Sequence, residues 1–265
     1  MLTSAHPASL SRFSAVERLT RLFGQLGARI GRFAPEPAPS QPSNSFRPSK
    51  PVLEVQQLAC ERGQRRLFSE LSFRVLPGTL LRVAGRNGSG KTSLLRIISG
   101  LLEPTSGTVL WKGAPARRLR EEYWKDVMYV GHLNGVKDDL TVAENLRIGS
   151  TIAGRGVNAA RAAEALENIG LMGVAGSMAR SLSQGQRRRI ALARLFVSDD
   201  VPLWLLDEPF SALDVTGVAV LARALAAHLE RGHTVVMTTH QEVELGGGKM
   251  QRIDLDQYVG AAEPC

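Results

Sequence analysis

The chain has 265 residues, 43% of them apolar, with a mean hydropathy of −0.07 and a formal net charge of +8. This composition predicts one soluble α/β domain with a full core, and no run approaches the roughly 18 apolar residues that a membrane-spanning helix needs. Residues 1–50 hold seven Arg or Lys against two Glu, and only 5% of the chain is aromatic. The remainder is therefore nearly balanced in charge, which argues against a nucleic-acid-binding protein.

Residues 1–51 form an amphipathic, proline-rich N-terminal extension. Six apolar residues share one face at helical spacing: Leu19, Leu22, Phe23, Leu26, Ile30 and Phe33. Six prolines between Pro35 and Pro51 predict an extended or flexible linker. Three interpretations remain open: an organellar transit peptide, a helix on an anionic membrane surface, or a start codon assigned too far upstream.

Residues 52–265 are predicted to form the compact domain. It begins with two apolar or alternating segments, Leu53–Leu58 and Leu71–Val75, which are typical of an antiparallel β-subdomain. Further strands are expected at Leu80–Ala84, Thr108–Trp111 and Met128–Gly131.

A phosphate-binding loop follows the third strand. The run Gly85-Arg86-Asn87-Gly88-Ser89-Gly90-Lys91-Thr92 fits G-x-x-x-x-G-K-[ST] and lies between a predicted strand and a predicted helix, Ser93–Ser99. The glycines allow backbone N–H groups to cradle phosphates at a helix N-terminus. Lys91 supplies a positive charge near the β- and γ-phosphates, and the Thr92 hydroxyl is a candidate Mg²⁺ ligand.

The region from about 133 to 181 is predicted to be a helical subdomain. Helical spacing is present in Val142–Ile148 and Ala159–Ile169. The run Leu182-Ser183-Gln184-Gly185-Gln186 then opens a helix that continues to about Val197. Within it, Arg187-Arg188-Arg189 is interpreted as a solvated helix face with one or two structural ion pairs.

Adjacent carboxylates end the next predicted strand. Val201–Leu206 is apolar and leads into Asp207-Glu208, with Pro209 and then Ser211-Ala212-Leu213-Asp214 after it. The carboxyl end of a strand in an open α/β sheet is where a nucleotide site belongs. Asp207 is therefore the candidate Mg²⁺ ligand and Glu208 the candidate general base. A further strand, Thr234–Thr238, delivers His240.

These motifs in this order resemble the nucleotide-binding domain of ATP-binding-cassette (ABC) proteins, from Val52 to about Leu255. The resemblance implies a P-loop NTPase fold of class α/β, with an antiparallel β-subdomain and a helical subdomain, that hydrolyses ATP with Mg²⁺. It also implies a head-to-tail homodimer, and membrane permease subunits on other chains. In such a dimer one domain's signature loop closes on the nucleotide of the other. Residues that would bind nucleotide on this basis are Ser93, Ser183, Gly185, Gln186 and Asp214, while His240 and Lys91 would act at the γ-phosphate.

Two positions depart from the usual pattern of that family. His132 occupies the place of a common Gln, where an imidazole can reach the Mg²⁺ shell or the attacking water. Arg62 occupies the place of an aromatic residue that stacks on adenine, which a guanidinium plane can also do. The alternatives, a loop histidine without that role and a surface arginine, remain open.

Further segments resemble the haem-exporter ATP-binding subunits of the bacterial cytochrome c maturation system. They are the run Leu58–Ser69, Gly131-His132, the run Asp207–Asp214, and Thr238-Thr239-His240-Gln241. This resemblance implies a peripheral protein on the cytoplasmic side of the cell inner membrane, acting indirectly with a haem chaperone. Alternatives are an exporter ATPase for a lipid or drug, a soluble ABC mechanoenzyme, and a location on the matrix side of the mitochondrial inner membrane.

The cysteine content indicates a reducing compartment. Cys60 and Cys265 are the only two, which supports neither a disulfide framework nor a zinc cluster. Cys60 is expected to be a buried strand thiol rather than a haem ligand.

Overall fold

The computed structural model describes residues 50–240 and 248–259. The predicted amphipathic stripe, Gln241 and Cys265 therefore lie outside the described residues, as does all of the extension except Lys50 and Pro51. In the described part, no helix has the length and apolar content that crossing a membrane requires.

The described residues contain an antiparallel and a parallel sheet. The strands are β1 (Leu53–Arg62), β2 (Arg65–Val75), β3 (Thr79–Ala84), β4 (Ser106–Trp111), β5 (Ala114–Pro115), β6 (Val127–Val130), β7 (Leu203–Asp207), β8 (Thr234–Thr238) and β9 (Lys249–Asp254). The first sheet has the order β2-β1-β4-β5 and is antiparallel. The second has the order β6-β7-β8-β3-β9 and is parallel. This is the predicted combination of an antiparallel β-subdomain with an α/β sheet.

Seven α-helices and three short 3₁₀ turns connect the strands within the described ranges. The helices are α1 (Lys91–Ile98), α2 (Ala116–Leu119), α3 (Glu121–Lys125), α4 (Val142–Ile152), α5 (Ala159–Asn168), α6 (Gln184–Phe196) and α7 (Val215–Glu230). The 3₁₀ turns are Met172–Val174, Ala179–Ser181 and Leu255–Tyr258.

Alternation along β7 divides the interior between the two faces of the parallel sheet. Leu203 and Leu205 pack into the core shared with the antiparallel sheet and α1. Trp204 and Leu206 pack into a second core with α6 and α7. Because successive side chains of a strand point to opposite faces, a strand covered on both sides is apolar throughout. Asp207 interrupts that pattern at the carboxyl end.

A third core belongs to the helical region. It joins α4 and α5 to α6, with Val142, Leu166 and Ile190 among its fully buried members. Thr141 caps its first helix, α4: the Thr141 hydroxyl accepts a hydrogen bond from the Glu144 N–H, while the Glu144 carboxylate accepts from the Thr141 N–H. This reciprocal capping box satisfies two donors that a helix start leaves free.

Most predicted elements are present, with different ends. The first strand continues past Leu58 to Arg62, and the second starts at Arg65, because β1 and β2 form a hairpin in which Arg62 lies opposite Arg65. The predicted strand Val201–Leu206 is shifted to Leu203–Asp207, whereas Thr234–Thr238 has the predicted bounds. Hairpin pairing is a tertiary contact, so periodicity within one segment did not reveal it.

Candidate active site

The phosphate loop lies between β3 and α1, as its motif predicts. Gly88 and Gly90 have φ of 78° and 101°, in the left-handed region that favours glycine. A Cβ on Gly90 would lie 3.0 Å from the Phe68 ring, so this part of the loop packs tightly against β2. The loop also contacts the 3₁₀ turn Leu255–Tyr258, because the Arg86 N–H donates to Asp256 Oδ2 at 2.9 Å.

The Lys91 ammonium lies inside the loop. Its Nζ donates to the carbonyl oxygens of Gly85 at 2.7 Å and Arg86 at 3.1 Å, and the residue is 9% exposed. Ser89 is 2% exposed, and within the described residues its Oγ has no hydrogen-bond partner. The loop thus holds a confined cation and an unused buried hydroxyl at one helix N-terminus.

The Asp207 carboxylate joins the loop to the parallel sheet. Its Oδ2 accepts from Thr92 Oγ1 at 2.8 Å, and its Oδ1 accepts from Thr238 Oγ1 at 2.7 Å. Asp207 is 1% exposed and Thr238 is fully buried. Three neighbouring elements, α1, β7 and β8, therefore meet at one carboxylate.

Glu208 follows with an unusual backbone. Its φ of 48° is in the left-handed region, which is costly for a residue with a Cβ. Its N–H donates to Thr238 Oγ1 at 2.9 Å, and its side chain is 22% exposed. Glu208 Oε1 lies 3.4 Å from His240 Nε2, an ion-pair contact when the imidazole is protonated, and makes no hydrogen bond within the described residues.

A cleft of about 640 Å³ brings these groups together. Predicted site residues that line it are Arg62, Asn87, Gly88, Gly90, Lys91, Thr92, Ser93, His132, Asp207, Glu208 and His240. His132, in the loop after β6, and Arg62, at the end of β1, are both exposed and line the same cleft. Arg65 and Ser211 also line it and were missed by sequence reasoning. Arg65 is one of three arginines between residues 62 and 66, so composition alone did not distinguish it.

The signature residues lie apart from this cleft. Ser183 caps α6 in a second capping box, in which its Oγ accepts from the Gln186 N–H and Gln186 Oε1 accepts from the Ser183 N–H. A Cβ on Gly185 would come within 2.8 Å of the Ala212 carbonyl oxygen, so this position requires glycine for close approach. Of the residues that the structure describes along the cleft, none belongs to this signature segment.

Asp214 caps α7 and also contacts α6. Its Oδ1 accepts from the Gly217 N–H at 2.9 Å and from Arg189 Nη2. The Gly217 hydrogen bond, and then the Arg189 guanidinium, lower the pKa of the Asp214 carboxyl, which stays ionised near neutrality.

The interpretation of Arg187-Arg188-Arg189 as a solvated face is wrong for its middle residue. Arg187 pairs with Asp138 at 2.7 Å and Arg189 pairs with Asp214, the two expected ion pairs. Arg188 is only 3% exposed, and burial lowers the pKa of its guanidinium. A run of like residues on a helix conceals this difference, because helix rotation points each one in its own direction.

Cys60 is buried in β1 at 2% exposure, as expected for a strand thiol. Burial raises the pKa of the Cys60 thiol, which keeps it protonated at neutral pH.

The fold and this cleft define an ABC-type ATPase, an enzyme that couples ATP hydrolysis to transport. A protein-family model described as "ABC transporter" matches residues 68–211. The solved "Structure of ATP binding subunit of ABC transporter" superposes with a TM-score of 0.64 at 25% identity, covering 71% of this chain and 79% of that chain. A solved dimer of a post-hydrolysis ATP-binding cassette, bound to ADP and phosphate, gives 0.63 at 26% identity, covering 71% and 88%.

Curated relatives narrow the class. The chain is 49% identical over 205 residues to the cytochrome c biogenesis ATP-binding export protein CcmA of Nitrosospira multiformis, covering 77% of this chain and 99% of the relative. Identity to the protein of that name from Escherichia coli O157:H7 is 44% over 206 residues, covering 78% and 97%. The chain belongs to the ABC transporter family, in its branch of cytochrome c biogenesis ATP-binding export proteins. The family predicted from the motifs is confirmed.

Proposed function

We propose that this chain is the ATP-hydrolysing subunit of a membrane complex that exports or delivers haem for c-type cytochrome biogenesis. The observation that carries the proposal is the convergence of Lys91, Thr92, Asp207 and Glu208 in one cleft of a cytochrome c biogenesis export ATPase. Haem is the cargo that the sequence resemblance implies. An exporter of another cargo, such as a lipid or drug, is the alternative.

Thr92 and Asp207 fit a magnesium site. Both present oxygen atoms, the donor type that Mg²⁺ prefers, and these atoms lie 2.8 Å apart beside the phosphate loop. Mg²⁺ bound there would neutralise charge that develops on the β- and γ-phosphates. Thr238 would keep the Asp207 carboxylate oriented toward that position, because its hydroxyl already occupies the other oxygen.

The remaining polar groups would act on the triphosphate and on water. Lys91 would exchange its bonds to the Gly85 and Arg86 carbonyls for phosphate oxygens, which are better acceptors. Glu208 would accept a proton from the attacking water, since this residue lines the cleft and its Oε1 has no hydrogen-bond partner among the described residues. His240, 3.4 Å from that carboxylate, would contact the γ-phosphate.

A second copy of the chain would complete the site. Ser183, Gly185 and Gln186 open a helix whose N-terminus favours an anion, yet they lie outside this chain's own cleft. The similar solved cassette is a dimer. In a head-to-tail homodimer the signature residues of one copy would meet the nucleotide held by the other, and Asp214 would belong to the loop that carries information between the two sites.

The transport path itself would belong to other chains. We propose permease subunits in the cell inner membrane, with this chain peripheral on the cytoplasmic side, and a haem chaperone acting indirectly. The matrix side of the mitochondrial inner membrane is the alternative location. Co-purification from detergent-solubilised membranes, with identification of the partner, tests both the membrane partner and the compartment.

The domain boundary at residues 51 and 52 is part of the proposal. Residues 52–265 would form the ATPase domain, with the helical subdomain at about 133–181. A variant lacking residues 1–50 should fold and bind ATP. If the amphipathic stripe contacts membrane, the deletion should weaken membrane recovery in a salt-sensitive manner. Failure of the deletion variant to fold would place the boundary elsewhere.

The cargo is tested in cells. A strain without this protein should retain b-type cytochromes, which carry no covalent haem, and lose c-type cytochromes. Lys91→Ala and Asp207→Asn should fail to restore them, because ATP turnover is required. Haem staining of denaturing gels measures the outcome, since covalent haem survives denaturation. Normal c-type bands in the deletion strain would refute the haem cargo and leave the ATPase assignment intact.

A further inference from the structure

Arg188 makes a set of contacts that the nucleotide motifs do not explain. Its Nη2 donates to the carbonyl oxygens of Asp207 and Glu208, both at 2.8 Å. Its Nη1 donates to the Gly131 carbonyl at 2.8 Å and to Asn134 Oδ1 at 3.2 Å. One guanidinium therefore uses four of its five N–H groups on two separate segments of the cleft wall.

The first segment is the strand end that carries the carboxylates. Glu208 has a φ of 48°, a conformation that persists only where surrounding contacts over-determine it. Arg188 Nη2 donates a hydrogen bond to the Glu208 carbonyl, and the Glu208 N–H donates one to Thr238 Oγ1 at 2.9 Å. The residue proposed as the base is thus restrained on both sides of its backbone.

The second segment carries His132. Gly131 and Asn134 flank that residue, and both accept from Nη1 of the same guanidinium. The two segments that present His132 and Glu208 to the cleft are consequently held at a fixed separation.

The third connection is the helix on which Arg188 lies. Arg188 is the fifth residue after Ser183, which corresponds to a rise of about 7.5 Å along α6. A helix is rigid over this distance, so a shift of the signature end moves the guanidinium as well. The neighbouring Arg189 ties the same helix to Asp214.

The burial of the positive charge of Arg188 needs a physical explanation. Arg188 is 3% exposed, and removing a charge from water is costly unless it is compensated. The carboxylates of Asp207 and Glu208 provide opposite charge nearby. A lysine would keep the charge, but its single nitrogen cannot reach two segments in the planar geometry of a guanidinium.

We infer that Arg188 is a positioning residue for hydrolysis: it holds Glu208 and the His132 segment in register with the signature helix. This inference rests on the proposed role of Glu208 as the base. Because α6 begins with residues proposed to face the partner's nucleotide, Arg188 mechanically links one composite site to the base of the other. Arg188 itself is not among the described residues that line the cleft.

The test measures turnover and ATP affinity of Arg188→Met and Arg188→Lys in the full-length protein, purified with its membrane partners. Methionine keeps an unbranched stem and removes every donor, and we expect its kcat to fall about tenfold to a hundredfold, the cost of a misplaced catalytic group. KM and the Kd of fluorescent ATP should change less than about threefold, since ATP contacts are untouched. Arg188→Lys should fall between Arg188→Met and wild type. The matched control is Arg187→Met, on the same helix, whose partner Asp138 lies outside the cleft lining.

A second comparison separates positioning from a purely structural role. In single-turnover assays, adding Arg188→Met to Glu208→Gln should lower the residual rate less than about twofold, because residues that act through each other are not additive. A multiplicative loss in the double variant, or wild-type kcat in a folded Arg188→Lys, would overturn the inference. If Arg188→Met does not fold, Arg188→Lys alone decides. Wild-type turnover in Glu208→Gln would instead refute the base assignment, and the two failures are thereby distinguished.

Discussion

Buried polar groups at the two ends of the parallel sheet differ in their surroundings: hydrogen bonds surround one, and an aromatic ring packs against the other. At the carboxyl end, both oxygens of Asp207 accept a hydroxyl hydrogen bond, from Thr92 at 2.8 Å and Thr238 at 2.7 Å. At the amino end, His228 is 1% exposed and its ring stacks on Trp204 with centroids 3.7 Å apart. Its Nδ1 lies 3.4 Å from His233 Nδ1, and within the described residues its Nε2 has no hydrogen-bond partner.

The difference shows two ways in which a fold accommodates a buried polar group. Hydroxyl donors on both oxygens of Asp207 fix the orientation of its side chain. Burial lowers the pKa of His228 to about 3, with smaller effects from His233 and Arg231, so its imidazole is neutral at physiological pH. The carboxyl end orients its polar groups through hydrogen bonds, whereas burial at the amino end disfavours a charged imidazole. Changes at the first end should alter turnover, whereas changes at the second should leave turnover near neutrality unaltered.

The largest effect is expected for Glu208→Gln at the carboxyl end. Glutamine keeps the shape and cannot accept the proton, so the hydrolysis rate should fall about 10²- to 10⁴-fold, the usual contribution of a general base. ATP binding should persist, and light scattering with Mg-ATP should detect an accumulated dimer. Glu103→Gln is the control, because that carboxylate is 79% exposed and pairs only with Arg117 among the described residues. A Glu208→Gln variant with wild-type turnover would contradict the base assignment.

A pair of substitutions on β8 sharpens the comparison within one strand. Thr238→Val removes the hydroxyl that contacts Asp207 and the Glu208 N–H, and should lower kcat about tenfold or more because two site groups lose their orientation. It should also lower the free energy of unfolding by about 1–3 kcal/mol, since it leaves buried partners unsatisfied.

Thr234→Val is the matched control at the other end of β8. The Thr234 hydroxyl is buried with no hydrogen-bond partner in the described residues, so its removal should be neutral or stabilising in chemical denaturation and should leave kcat unchanged. Equal effects of the two valines on turnover would mean that strand packing, not hydroxyl placement, is what matters.

A smaller effect on turnover is expected at His132. If its imidazole acts beside the γ-phosphate, His132→Ala should lower kcat several-fold, more than it lowers ATP affinity. His132→Gln should be tolerated, because an amide restores a donor and an acceptor. Steady-state ATPase assays measure both quantities. Unchanged activity in His132→Ala would identify a loop histidine without that role.

Substitution at the amino end should change how the free energy of unfolding depends on pH and should leave turnover near neutrality unaltered. The folded pKa of His228, about 3, lies below its ordinary value of 6.5, so the unfolded chain binds the extra proton. Above pH 6.5 this histidine therefore costs no stability. As pH is lowered from 6.5 toward 3, protonation of the unfolded chain reduces the free energy of unfolding by at most about 1.4 kcal/mol per pH unit.

Replacing His228 should weaken the dependence of the free energy of unfolding on pH. Urea unfolding of His228→Phe between pH 7.5 and 5 should show a shallower loss of stability than wild type, while its kcat at pH 7.5 stays within about twofold. Burial, and then Arg231, lower the pKa of His233, while Asp200 and Asp199 act in the opposite direction, so His233 contributes a dependence of the same sign. Parallel slopes for wild type and His228→Phe would show that other groups control the acid loss.

Much of the fold and site was predictable because the signals are local. The phosphate loop requires glycines and a lysine within eight consecutive residues, Gly85–Thr92, and Asp207-Glu208 follows an apolar strand directly. The strand Thr234–Thr238 has the predicted bounds for the same reason. Arg65 was missed, and Arg188 was misplaced on a solvated face, because a charged residue carries no local mark of where it points.

The sequence by itself determined the family, the order of elements and the residue types available for phosphate chemistry, since each depends on short-range patterns. Only the tertiary structure decided which groups meet. Thr92 and Asp207 are 115 residues apart in the chain and share a hydrogen bond. Arg188 joins carbonyls 57 residues before it and 20 residues after it. Such contacts depend on sheet order and helix rotation, which no single segment encodes, and they fix the orientation of the groups that the motifs supply.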